Sequence, residues 1–225
     1  MDISFLIVSL DDCLRQINFL NKIKIDYSYE ILIASPKKIS CENNIEYKIF
    51  EDTGSSVSCY NNLYKNSTGK FIVCLTGVTL PPANINDLIK KMEIEYNNGT
   101  DFIIKSPCDE NNHSFVIPRW ARYAAGLSGR GKNAPQIIRY PLFLRDTIDK
   151  YLDGVIFAES FIHHYCDNWL GTYCALIGKK VCEETEFKIT NLPHESIKKN
   201  DFYDKIVYEN LCKNFAKHKK YNIKV

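Results

Sequence analysis

The densest group of reactive side chains in this 225-residue chain is His163, His164, Cys166, Asp167 and Cys174, and a helix there sets His163 and Asp167 one turn apart on a shared face. These are metal-ligand types. Zinc sites, however, draw paired ligands from two separated segments, and the nine cysteines show neither a second pair nor a CxxC spacing. A second group is basic: Arg130 and Lys132 alternate with glycines from Gly129 to Lys132, in a segment that reads as a loop. Its cations could close over phosphates as a lid, or the loop is a solvated turn. A third group is scattered, because Ser9, Ser35, Glu51 and Asp52 each close or follow a strand-like run. If those runs are neighbouring parallel strands, their carboxyl ends gather the four side chains at one crevice, where such sheets take their ligands. Helix capping and turn chemistry compete for the same residues.

The elements that must position these groups follow from periodicity. Ile3 to Leu10 and Tyr29 to Ser35 are nearly continuous apolar runs of the kind buried on both faces of a parallel sheet, and Ile45, Tyr47 and Ile49 alternate as a third strand would. Between the first two, residues from Cys13 to Ile23 repeat near a 3.6 period. A helix is expected from Ser55 to Thr68, a strand from Phe71 to Val78 stopped by Pro81 and Pro82, a helix from Ile85 to Tyr96, and a short strand from Asp101 to Ser106. Farther on, the pattern predicts a loop around 126–135, a strand near Gln136 to Arg139, a helix begun at Pro141, a helix across Phe157 to Ile177 and a strand at Lys180 to Cys182. Alternation of strands with helices makes this an α/β chain with a mostly parallel, Rossmann-like sheet flanked by helices. Residues 1–190 form the domain, and residues 191–225 extend it with a basic amphipathic helix over Asp201 to Lys220.

Twenty-nine Lys and Arg against 27 Asp and Glu leave a net charge of +2, too small to suggest nucleic acid as a partner. No stretch approaches the ~18 consecutive apolar residues of a membrane span, and the start, Met1-Asp2-Ile3-Ser4, lacks the basic opening of a signal peptide. A cytoplasmic protein with reduced cysteines is expected. The C-terminal lysines beside Ile206, Val207, Leu211 and Phe215 leave open a peripheral contact with an anionic membrane. A helix that packs its apolar side on the domain explains the same pattern.

The order of these pieces carries a resemblance. Asn61 precedes a Thr68-Gly69-Lys70 step into the strand Phe71 to Thr76, which ends near Pro81-Pro82, and much later Cys166-Asp167-Asn168-Trp169 leads through a helix to Gly178. This resembles the family 2 glycosyltransferases of the GT-A fold, over residues 3 to 183. The resemblance implies transfer of a sugar from a UDP- or GDP-sugar to a glycan or lipid-linked acceptor, with inversion. It implies Asp167 as the catalytic base, with Glu159 in reserve, and a donor held by Ser9, Ser35, Glu51, Asp52, Asn61, Arg130 and Lys132. Where the family has a DxD-type carboxylate site for Mn or Mg, this chain reads Leu75-Thr76-Gly77-Val78-Thr79. Neutral oxygens are poor ligands for a hard cation, so no metal-binding residue is assigned.

Overall fold

Six-residue apolar segments cannot leave both faces wet, so they pair into a central layer and are covered from both sides. The computed structural model describes residues 1–10, 13–37, 47–109, 116–127, 134–179, 181, 183–192 and 201–223. In chain order the elements are β1 (Ile3–Val8), α1 (Leu14–Lys22), β2 (Tyr29–Ala34), β3 (Tyr47–Phe50), α2 (Ser56–Lys65), β4 (Phe71–Thr76), β5 (Thr79–Leu80), α3 (Ile85–Asn97), β6 (Ile104–Asp109), α4 (Arg119–Ala124), β7 (Leu142–Leu144), α5 (Arg145–Tyr151), α6 (Cys166–Leu176), β8 (Glu183–Asn191) and α7 (Asp201–His218). The sheet runs β3-β2-β1-β4-β7-β6-β8-β5. Strands β1 to β4 are mutually parallel. Because β7 is antiparallel to both β4 and β6, β6 points the same way as β4, and β8 runs parallel to β6.

Side-chain alternation divides the core into two layers. Ile3, Phe5 and Ile7 point to the face covered by Ile17 and Leu20 of α1 and by Ile85, Leu88, Ile89 and Met92 of α3. Leu6, Leu32 and Cys74 point to the other face, where α2, α5, α6 and α7 pack through Leu63, Ile148, Trp169 and Leu211. Helix α7 is thus built into the domain through its buried side. Ser55 caps α2, accepting from the Ser58 N–H at 3.2 Å.

Four segments differ from the sequence expectation, the first being Gln136 to Arg139, which among the described residues forms no strand and pairs only through an isolated bridge from Gln136 to Val116. Pro141 begins no helix, because Leu142, Phe143 and Leu144 are drawn into the sheet as β7 between β4 and β6, and the helix waits until Arg145. Residues 157–165 are not helical. Asn61 and Asp204 bind their backbone groups from outside, so α6 starts only at Cys166. The strand expected at Asp101 to Ser106 instead spans Ile104–Asp109, carrying Pro107 past a register shift against β8. Among the described residues no helix is long and apolar enough to cross a membrane. Seven described cysteines are buried, and none of these forms a disulfide.

Candidate active site

The register of the parallel strands builds one wall of the site. Val8 lies beside Ala34 and Thr76, and Ala34 beside Phe50, so the next residues, Ser9, Ser35, Glu51 and Gly77, emerge in a row at the carboxyl edge. Four of the residues expected from sequence are therefore brought together there: Ser9 and Ser35, both buried, exposed Glu51 and half-buried Asp52. The Ser35 hydroxyl accepts from the Lys37 N–H at 3.2 Å. Asp52 Oδ1 accepts from the Gly54 N–H at 2.9 Å and from Cys59 Sγ at 3.3 Å, which shapes the turn into α2. Gly77 is required by contact, since a Cβ there would lie 1.8 Å from Ser9 Oγ.

The turn from β4 to β5, where the resemblance places a metal site, is locked by neutral groups. Thr79 Oγ1 accepts from the Thr76 N–H at 2.8 Å and lies 3.2 Å from Thr76 Oγ1, which in turn accepts from the Val78 N–H at 3.3 Å. From α1 the buried Gln16 donates its side-chain amide to the carbonyls of Thr76 and Thr79 at 3.2 and 3.4 Å. A hard divalent cation wants several oxygens, carboxylates among them. These hydroxyls and carbonyls already hold one another, so the residues present do not fit such an ion. Among the described residues no cluster of three or more His, Cys, Asp or Glu could hold a metal.

Asp167 lies in the first turn of α6. Tyr165, just before that helix, is in the left-handed region with φ of 58° and stacks its ring on Tyr208 of α7 at 5.6 Å. The preceding loop is held by buried Asp204 of α7, whose carboxylate accepts the backbone N–H groups of Ile162, His163 and His164 at 2.8, 2.9 and 2.7 Å. Asp167 Oδ1 accepts from the Asn168 N–H at 2.8 Å, and its own carbonyl accepts from the Ile138 N–H at 3.4 Å. Gly171, one turn on, lets the chain at Gln136 approach α6, since a Cβ there would lie 2.0 Å from the Gln136 carbonyl. From Ile138 the chain runs to Pro141, whose carbonyl accepts from the Cys74 N–H of β4 at 3.2 Å. Arg139 and Tyr140 thus bridge the Asp167 helix and the last residues of β4. Tyr140 donates to Asn191 Oδ1 at 3.1 Å, and the Leu192 N–H reaches Val78 of the β4–β5 turn at 2.7 Å. Burial pushes the Asp167 carboxyl above the ordinary aspartate range, against the Asn168 N–H and the positive charge of Arg139, which hold it down.

Other expected site residues fall elsewhere. Asn61 is structural, because its Oδ1 accepts from the Ile156 and Phe157 N–H groups and its Nδ2 donates to the Phe157 carbonyl at 2.7 Å. Its side-chain oxygen and amide thus pin the 156–157 segment. Glu159 and Asn61, two of the expected site residues, line a cavity of about 350 Å³ between α2 and the 159–161 segment, together with Ser55, Ser58, Asn62 and Lys65, and Asp167 is not among its lining residues. His163 Nδ1 accepts from the Ser56 N–H at 3.2 Å, so the suspected metal cluster does not converge. Arg130 and Lys132 lie outside the described residues.

Sequence reasoning missed Gln16, Arg139 and Asp109. Gln16 interrupts the apolar face of α1, which is the signal of a buried polar group with a partner. Asp109 is buried at the carboxyl end of β6, at the edge shared with β4. The expected end of its strand, at Ser106, falls short of it and hides it.

No protein-family model matches the chain, and no curated protein matches it. Among solved structures it is similar to S. aureus TarS. A complex of TarS residues 1–349 with UDP superposes with a TM-score of 0.58 at 11% identity, over 94% of this chain and 65% of that one. A complex with UDP-GlcNAc gives 0.54 at 12% identity, over 88% and 60%. A longer TarS structure gives 0.53 at 13% identity, over 96% and 44%. The chain spans less than two thirds of the length of each. The likeness is one of fold: an eight-stranded sheet flanked by helices, as in glycosyltransferase structures of the GT-A type.

Proposed function

We propose that this chain is a family 2-like glycosyltransferase that transfers a sugar, with inversion, from a nucleoside diphosphate sugar to a hydroxyl of a glycan or lipid-linked acceptor. The observation that supports this reading is Asp167, a part-buried carboxylate with a raised pKa, tied through the Ile138 to Pro141 segment to β4, whose carboxyl end adjoins Ser9 and Ser35. UDP and UDP-GlcNAc are bound by the TarS structures that share the fold, which favours a UDP-sugar over a GDP-sugar as donor.

In this mechanism the row at the carboxyl edge of β1 to β4 receives the nucleotide. Ionised Asp167 accepts the proton of the acceptor hydroxyl as that oxygen attacks the anomeric carbon from the face opposite the diphosphate. The C–O bond to the acceptor forms as the bond to the diphosphate breaks, and the diphosphate departs with the electron pair. Stabilising that leaving group needs preorganised positive charge. Arg139, exposed on the bridge between Asp167 and β4, is the described cation suited to it, and Arg130 and Lys132 remain candidates for a closing loop. Since the β4–β5 turn does not fit Mn or Mg, donor binding is expected to survive chelation.

One observation favours a rival. The turn without carboxylates suits a catalytically degenerate domain that binds a carbohydrate or a partner protein and has lost turnover. A thermal-shift panel of UDP- and GDP-sugars, with and without EDTA, reads binding, because a ligand selective for the folded state raises Tm by mass action. Asp167→Asn then separates the two readings. It should leave donor-induced stabilisation intact and lower transfer by ~10² to 10⁴. No stabilisation by any nucleotide sugar sinks the transferase reading, and absence of transfer by the wild type leaves the rival.

A further inference from the structure

The outer side of α7 and the adjoining α4 expose apolar side chains that the fold does not cover. Phe202 is 77% exposed, Tyr203 48% and Ile206 43%, and on α4 Tyr123 is 66% and Trp120 39% exposed. The two helices touch, with the Trp120 ring 5.4 Å from the Tyr208 ring in an edge-on contact. Single exposed apolar residues are ordinary on any surface, but Phe202, Tyr203 and Ile206 cluster on the outer side of α7, opposite the buried Tyr208 against which Trp120 packs. At ~100° per residue, Phe202, Ile206, Lys213 and Lys217 fall on one stripe of roughly 60° along α7. Lys205, Lys213, Lys217, Lys219 and Lys220 are all exposed, and Arg119 is exposed on α4. Among the described side chains of residues 202–220, Glu209 is the one carboxylate that reaches this side, and the other, Asp204, is buried against the 162–164 backbone.

We propose that this surface docks the protein on an anionic lipid bilayer. Aromatic and aliphatic side chains that enter the interface, flanked by lysines that meet lipid phosphates, are the two components of an interfacial helix. The charge complementarity selects lipid over a second copy of the chain, since two such faces would set their lysines against each other. The surface is distinct from the donor crevice and does not depend on the transferase reading.

Co-sedimentation with vesicles of phosphatidylcholine alone, and of phosphatidylcholine mixed with phosphatidylglycerol, tests this on the full chain. Binding is expected only to the mixed vesicles, and it should weaken toward ~1 M salt, where the Debye length falls to ~3 Å. K213Q with K217Q should lower the partition coefficient on the order of 25-fold, as two lysines near an anionic surface each contribute about fivefold. F202S with I206S should lower it as well, at both salt concentrations. K90Q, an exposed lysine on α3 across the sheet, is the control and should leave it unchanged. All substituted side chains are exposed, and circular dichroism checks that each variant is folded. The proposal is overturned by absence of binding to mixed vesicles at low salt, by equal loss in K90Q, or by a dimer in sedimentation velocity that F202S with I206S dissociates.

Discussion

Asn61→Ala removes one side chain and leaves three buried backbone groups without partners. The N–H groups of Ile156 and Phe157 lose an acceptor at 3.0 and 3.1 Å, and the Phe157 carbonyl loses a donor at 2.7 Å. Each orphaned group costs ~1 to 3 kcal/mol, so with partial relaxation the sum is about 3 to 5 kcal/mol. In a domain of this size ~1 kcal/mol moves Tm by about 2 to 4 °C, and the expected drop is roughly 6 to 20 °C. Asn61→Asp should be as damaging at neutral pH, where a carboxylate faces the Phe157 carbonyl, and should recover as pH falls and the protonated acid becomes a donor. Thermal denaturation of the three proteins reads the stability. Nucleotide titration well below the variants' Tm reads the site, and affinity there should match the wild type. A variant with unchanged Tm and lost nucleotide affinity refutes the structural role and returns Asn61 to the donor site.

Arg139→Gln removes a positive charge that holds down the Asp167 carboxyl, so the acid limb of a transfer-rate profile should move to higher pH. An unmoved limb would detach Arg139 from the base. Glu30 behaves in the opposite sense. Burial raises its pKa, but hydrogen bonds from Thr68, Ser4 and Lys48 outweigh burial and hold it below the ordinary glutamate value. Its contribution to stability is therefore present above ~4.3 and lost as pH falls below that value. Glu30→Ala should cost ~2 to 4 kcal/mol at pH 7 and less as the pH falls through the lowered folded-state pKa of the carboxyl, and denaturant titrations across the acid range would expose a constant gap. Gly77→Ala forces a methyl to within 1.8 Å of Ser9 Oγ, an overpacking worth ~1 to 3 kcal/mol. Ser9→Gly should rescue it in a double-mutant cycle, and strict additivity of the two changes would refute the contact.

The parallel half of the sheet was legible because both faces of each strand are buried and the apolar runs are unbroken. The motifs that carried the resemblance proved to encode packing as much as chemistry. Thr68 donates its N–H and hydroxyl to Glu30, and the Gly69 N–H reaches Ser4 Oγ at 2.8 Å. Both lie at the amino edge of the sheet, opposite the crevice. Asn61, the motif's polar residue, binds backbone. What could not be read were segments whose conformation is imposed by distant partners. Residues 157–165 have the apolar content of a helix, and Asn61, Ser55, Asp204 and Asn222, far away in sequence, hold them in another shape. β7 is three residues long, too short for periodicity, and its identity comes from the gap between β4 and β6.

The strand-end row is almost without positive charge. Ser9, Ser35, Thr76 and Thr79 are neutral, and Glu51 and Asp52 are acidic. Such a wall can hydrogen-bond a nucleoside, yet it does nothing for the negative charge that grows on a departing diphosphate, and it repels that charge if Glu51 or Asp52 faces it. In the proposed transferase, binding and turnover draw on different parts of the molecule: the row for the nucleotide, the 138–141 bridge for charge and base. In that reading Arg139 serves both sides of the reaction from one position, as its charge favours ionised Asp167 before attack and can meet the diphosphate after bond cleavage. A transferase built this way couples base ionisation and leaving-group stabilisation through one guanidinium. Loss of that group should lower kcat more than donor affinity, whereas in a domain that only binds nucleotide the substitution has no turnover to affect.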